Sequence, residues 1–195
     1  MKPGTRALGI AESYRGAEST LAGCVVRADG VVDGFTFGSC TVGGTDATDA
    51  VLDLFSRLDR EDVQFLLVAG IAPAWFNLLD LHRLYDGTGL PALSVSFEPS
   101  KGLEAGIEDA FTGEARDRRV ATYRAQPPRN PVVVGDERLF VRAVGLADDR
   151  GAEVVRAFTR EGGRPEPVRV ARLAARGADE LRRLSHPSES GTDEG

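Results

Sequence analysis

Three β-rich runs open this chain, and after them helical and strand patterns alternate. The first run is Leu8-Gly9-Ile10-Ala11-Glu12-Ser13-Tyr14; the second and third, Leu21–Arg27 and Val31–Phe37, flank Asp29-Gly30. An Asp-Gly pair between β-rich runs signals a tight hairpin, because both central turn positions take φ > 0. The opening therefore reads as an antiparallel three-strand meander. Ala47, Ala50, Val51, Leu54, Phe55 and Leu58 then recur at helical spacing as one apolar face, with Thr45 or Asp46 at the N-cap. Gln64–Ala69 reads as a strand, Trp75–Leu84 as a helix stopped by Gly89-Leu90-Pro91, and Ala92–Phe97 as another strand. The order implies an α/β protein with a mixed sheet, antiparallel strands first and parallel strands next, flanked by helices.

The second half is patterned more weakly. Gly102–Arg124 reads as helical and Arg-rich, Gln126–Pro131 as a proline-laden connection, and Leu139–Val144 as a strand. Helices near Glu153–Thr159 and over Pro167–Leu184 complete one expected domain, residues 1–184. The polar remainder, 185–195, is expected to be a disordered tail.

A chain of 195 residues with 42% hydrophobic content is long enough to bury one core. It has neither an apolar run of membrane-spanning length nor a secretory leader pattern, so a cytoplasmic protein without membrane contact is expected. The net charge is −6, and lysine occurs only as Lys2 and Lys101. A high-salt cytoplasm favours such an acidic, arginine-tolerant composition, and a GC-rich coding bias produces it equally well.

Several chemistries are excluded. Cys24 and Cys40 form no C-x-x-C, and His82 and His186 are too few for a histidine metal cluster. The chain contains no G-x-S-x-G, no P-loop and no G-x-G-x-x-G.

Four segments carry a resemblance. They are Lys2–Ile10, Thr41-Val42-Gly43-Gly44-Thr45-Asp46-Ala47-Thr48-Asp49, Ala69-Gly70-Ile71-Ala72-Pro73-Ala74-Trp75-Phe76-Asn77-Leu78-Leu79-Asp80, and Pro165–Ala174. In this order they resemble the archaeal endonuclease dU-like family, related in fold to endonuclease V, over most of residues 2–177. The resemblance implies a ribonuclease H-like sheet. It further implies cleavage of DNA near a deaminated base, with Mg²⁺ or Mn²⁺ held by carboxylates on converging strand ends.

This chain departs from the family where that chemistry would sit. Ala11-Glu12 stands in place of an acidic pair, Ala69-Gly70 in place of Asp-Gly, and Arg172 where relatives often carry His. Glu12 replaces the missing ligand only if the strand ends or bulges there, since one step along a regular strand turns a side chain to the opposite face. Asp46 and Asp49 are further candidate carboxylates, and Asp46 reads equally as a helix cap. The candidate catalytic and metal-binding pair is therefore Glu12 and Asp46, with Asp49 or Asp80 as additions.

For nucleic acid, Tyr14 and Trp75 offer stacking surfaces and Asn77 an amide that can read a base edge. Arg169, Arg172 and Arg176 recur at i, i+3 and i+7, in a stretch with six arginines (Arg164, Arg169, Arg172, Arg176, Arg182, Arg183) against Glu166, Asp179 and Glu180. Gly43-Gly44 offers backbone N–H groups to a phosphate. Three functions follow: a DNA-binding protein with weakened or lost nuclease activity, an active metal-dependent endonuclease on deoxyuridine or other deaminated bases, or an interaction protein with a vestigial cleft.

Overall fold

The computed structural model describes residues 1–160 and 163–185. They form a seven-stranded sheet in the order β3-β2-β1-β4-β5-β7-β6. The opening meander consists of β1 (Arg6–Tyr14), β2 (Glu18–Arg27) and β3 (Val32–Thr41), paired antiparallel. β4 (Val63–Ala69) adds parallel to β1, and β5 (Ala92–Ser96) parallel to β4. This is the ribonuclease H-like arrangement that the sequence implied.

The β2–β3 turn differs from the tight hairpin expected. Four residues connect the strands, and of Asp29-Gly30 only Gly30 takes positive φ, at 90°. The Asp29 carboxylate instead accepts the Val31 N–H at 3.2 Å and pairs with Arg27 at 2.5 Å, which fixes the turn from its side chain.

Strand alternation divides the core. Leu8 and Ile10 face α1 (Ala47–Leu58) and pack with Val51 and Leu54. Ala7, Gly9 and Ala11 face the opposite side, where α7 (Glu166–Ser185) lies against β1. That approach requires glycine: a Cβ on Gly9 would stand 2.1 Å from the Pro167 carbonyl carbon.

The expected helix over Trp75–Leu84 is instead two pieces. A single turn, α2 (Pro73–Phe76), has Ala74, Trp75 and Phe76 all at positive φ, and α3 (Leu81–Thr88) starts after Asp80. Asp80 caps α3 by accepting the His82 and Arg83 N–H groups, and so is a capping residue. The predicted helix over 102–124 is broken at Phe111-Thr112 into α4 (Glu104–Ala110) and α5 (Gly113–Ala125). The proline-laden connection hides a strand, β6 (Asn130–Val134), which pairs with β7 (Glu137–Val144). Pro131 is tolerated because β6 is an edge strand. β7 runs antiparallel to β5, and α6 (Asp148–Phe158) begins earlier than the pattern suggested. Ser185 ends α7; the rest of the tail expected over 185–195 lies outside the described residues. Among the described residues no helix is long and apolar enough to cross a membrane.

Candidate functional site

The carboxyl ends of β1 and β4 are where an α/β sheet presents side chains to an open crevice. Ile10 of β1 aligns with Val68 of β4, so the next residues, Ala11 and Ala69, are neighbours across the pair. Both face α7 and share an apolar cluster with Cys24, Val26 and Ala171, and Ala11 is only 3% exposed. Carboxylates on adjacent strand ends would stand one strand spacing apart, ~4.8 Å, close enough to share cations. Two methyl groups provide no ligand. The donor set at this point does not fit paired divalent ions, and among the described residues no three His, Cys, Asp or Glu side chains converge as a metal cage.

Glu12 does not replace them. β1 stays in unbroken register with β2 through Tyr14, with Glu12 opposite Leu21 and Ser13 opposite Thr20, so Glu12 points away from Ala11 and Ala69. Its carboxylate accepts the Ser19 hydroxyl at 2.9 Å. Asp46 lies on Glu12's side of the sheet, in the loop that enters α1. There it accepts the Thr41 N–H at 3.1 Å, the Thr41 hydroxyl at 2.8 Å and the Asn77 amide at 2.6 Å. Burial tends to raise the Asp46 pKa, but the Asn77 and Thr41 hydrogen bonds outweigh it and hold the carboxyl below its ordinary range. Glu12 and Asp46 both act on the Cys40 thiol, which burial first and these charges second push up to about 12. Asp49 pairs with Arg83 at 2.6 Å on the exposed side of α1.

Asp46 occupies the N-cap of α1 but makes no capping bond with its side chain. That role belongs to Asn77, whose Oδ1 accepts the Ala47 N–H at 2.9 Å while its Nδ2 donates to Thr41 O at 2.8 Å and to Asp46. Asn77 is fully buried, which corrects its assignment as a base reader: the amide is consumed in joining two loops. Gly43 and Gly44 likewise give their N–H groups to Ala74 O and Thr41 O, so neither is offered to a phosphate.

Arg119 locks the same loops. It is 6% exposed and donates to Phe76 O, Gly43 O and Gly44 O at 3.2, 2.5 and 2.8 Å, while its guanidinium lies 3.9 Å from the Phe111 ring centroid. This holds the left-handed Ala74–Phe76 turn in place. Trp75 results as a 48% exposed indole packed on Phe111, with its ring edge where a Gly43 Cβ would be, 2.8 Å away. Tyr14, at the tip of β1, is also exposed.

Beyond Ala69 and Gly70 opens a cleft of about 450 Å³, walled by the ends of β4, β5 and β7 and by α7. Arg129, Arg142, Arg164, Arg172 and Arg176 line it, against one acid, Glu98. Among the described residues none of these five arginines lies within salt-bridge distance of a carboxylate. Aromatic rings and neutral oxygens hold three of them. Arg129 lies 4.0 Å over Phe140 and donates to the Ser96 hydroxyl at 2.9 Å; Arg142 sits by the Tyr123 ring and donates to Pro127 O; Arg164 lies 4.4 Å over Phe97. Burial, then the Arg142 charge, lower the pKa of Arg129.

Of the residues expected to bind nucleic acid, Arg172 lines this cleft. Arg169 reaches only a smaller recess beside it and is paired with Glu166 at 2.7 Å, whereas Tyr14, Trp75 and Asn77 are not in the cleft wall. Sequence reasoning missed Arg129 and Arg142. The available signal was an arginine between Val141 and Ala143 in a strand, and another inside the Pro127-Pro128-Arg129-Asn130-Pro131 run.

Comparison with known proteins agrees with this architecture. The family model for endonuclease dU matches residues 3–178. UPF0215 protein TK2033 from Thermococcus kodakarensis is 33% identical over 184 residues, covering 90% of this chain and 92% of its own. The crystal structure of an Archaeoglobus fulgidus protein of unknown function is similar with a TM-score of 0.79 and 27% identity, covering 89% of this chain and 98% of that one. Ciona intestinalis endonuclease V (D234N), in complex with a 23mer DNA containing an inosine followed by a ribo-adenosine, shares the fold with a TM-score of 0.62. Its identity is 12%, over 92% of this chain and 86% of that one. With the family model matched along nearly its whole described length and an endonuclease V-like sheet beneath it, this chain belongs to the endonuclease dU family.

Proposed function

We propose that this chain is a DNA-binding member of its family in which nuclease activity is weakened or lost. The single observation that carries this reading is the chemistry at the strand ends: Ala11 and Ala69 stand side by side as apolar surface, and the adjoining cleft is lined with arginines rather than carboxylates. Two-metal hydrolysis needs anionic oxygens to seat both cations, to activate water and to stabilise the leaving oxygen. Guanidinium groups instead attract phosphate and repel metal ions. The DNA held by the Ciona endonuclease V supports DNA as the partner. Trp75 adds a stacking surface beside the cleft, and a base stacked on it would contribute ~1–3 kcal/mol.

A binding and nicking assay on deoxyuridine- and deoxyinosine-containing oligonucleotides, with Mg²⁺ or Mn²⁺ at low and high salt, tests the reading. Binding without nicking is expected. Turnover abolished by Glu12→Ala or Asp46→Ala would establish the alternative, an active endonuclease with a rearranged site. Absence of any DNA binding would favour an interaction protein with a vestigial cleft.

A further inference from the structure

We infer that the arginine-lined cleft is a metal-independent seat for the terminal phosphate of a nucleotide, a phosphomonoester rather than a through-running phosphodiester. The inference deepens the proposed reading and rests on it, since it identifies which part of a nucleic acid the cleft engages.

Charge comes first. Five guanidinium groups against Glu98 leave the cleft strongly cationic in a protein whose net charge is −6. A phosphodiester linkage brings one negative charge. A terminal phosphate carries about −1.5 to −2 near neutrality and offers three terminal oxygens, so it matches a multi-arginine site better.

The arrangement of the arginines also suits this ligand. Arg129 and Arg164 lie against Phe140 and Phe97, and stacking of this kind fixes the plane of a guanidinium while leaving in-plane N–H groups free to donate. Arg172 and Arg176, four residues apart on α7, lie on one side of that helix. Arg129 and Arg142 are close enough to repel one another, and a dianion between them relieves that repulsion. The apolar wall of Ala11, Ala69 and Ala171 adds no competing negative charge.

Size separates a nucleotide from a bare ion. At about 450 Å³ the cleft exceeds what inorganic phosphate fills and falls in the range of small-ligand pockets, leaving room for the attached sugar and base. The phosphate can come from a strand end or from a free mononucleotide, and the two sources share the same recognition chemistry.

The test measures binding in EDTA by fluorescence anisotropy and by competition. The ligands are a short oligothymidylate with a 5′-phosphate, a 3′-phosphate or hydroxyl ends, and free thymidine monophosphate. A terminal phosphate at one end is expected to tighten binding about tenfold over hydroxyl ends, a gain typical of charge-assisted multidentate contacts. Arg142→Gln and Arg172→Gln should each abolish that preference, whereas Arg118→Gln, which removes an exposed arginine from the outer surface, should preserve it. Equal affinity for phosphorylated and hydroxyl-ended strands would overturn the inference and leave DNA binding itself intact. So would variants that weaken both ligands equally, because the arginines would then be serving the strand's internal phosphates. Binding of thymidine monophosphate but of no oligonucleotide would support the phosphate seat and overturn the DNA-binding reading.

Discussion

On α5, Arg118 reaches back one turn to Glu114, and on α7, Arg169 reaches back to Glu166; yet Arg172 and Arg176, next along α7, face the cleft without a carboxylate partner among the described residues. The molecule thus holds two populations of arginine on one acidic background. On the outer faces each has an acid beside it, as in Arg83 with Asp49 or Arg60 with Asp62. In the cleft, aromatic rings and neutral oxygens take the place of acids. Pairing neutralises a surface at little gain in stability. Leaving guanidinium groups unpaired in a concave site has an electrostatic cost that persists until an anion arrives.

Arg119 belongs to neither population and gives the largest expected effect. Arg119→Ala would leave the carbonyls of Gly43, Gly44 and Phe76 without their donor, at ~1 kcal/mol each and ~3 kcal/mol together. Urea unfolding should register this as a lower midpoint. An unchanged midpoint would mean that the left-handed turn bearing Trp75 is held by something other than this arginine.

Next comes a cleft arginine. Arg176→Gln should weaken DNA binding by ~1 kcal/mol and lower the salt dependence of the binding constant by about one phosphate contact, with no change in the urea midpoint. A loss of stability without a loss of affinity would erase the distinction between the two populations.

A smaller effect is expected from Asp46. Its folded-state pKa lies below the ~3.9 of an unfolded aspartate, so the unfolded chain takes up the proton first. The stability this carboxylate contributes is complete above the unfolded value and is lost as pH falls through the folded one. Asp46→Asn should flatten that part of the acid limb in unfolding measured from about pH 5 downward. The smallest change is expected at the outer surface, where Arg118→Gln should alter stability by less than ~0.5 kcal/mol and leave binding untouched.

How much of this was legible in the sequence follows from the range of the interactions. The opening meander, the apolar face of α1 and the strand ending at Ala69 were readable because each is a local pattern of period 2 or 3.6. The split of 73–88 was missed because positive φ at Ala74, Trp75 and Phe76 has no local signal; it is imposed by Arg119, more than forty residues away in sequence. Asn77 looked free for a base because its partners, Thr41, Asp46 and Ala47, belong to a distant loop. The basic stripe on α7 was visible, but Arg129 and Arg142 join Arg172 only once β7 has paired with β5. The alanines at 11 and 69 were legible as departures. Their adjacency, and the turning of Glu12 to the opposite face, needed the register of β1 with β2 and β4.

The most direct test of the central claim compares the wild-type chain with the double substitution Ala11→Asp, Ala69→Asp, on an inosine-containing strand with Mn²⁺. The account predicts that wild type binds the strand equally in EDTA and in Mn²⁺ without nicking it, and that the double substitution confers Mn²⁺-dependent nicking. Nicking by the wild-type chain that requires Mn²⁺ would contradict the account.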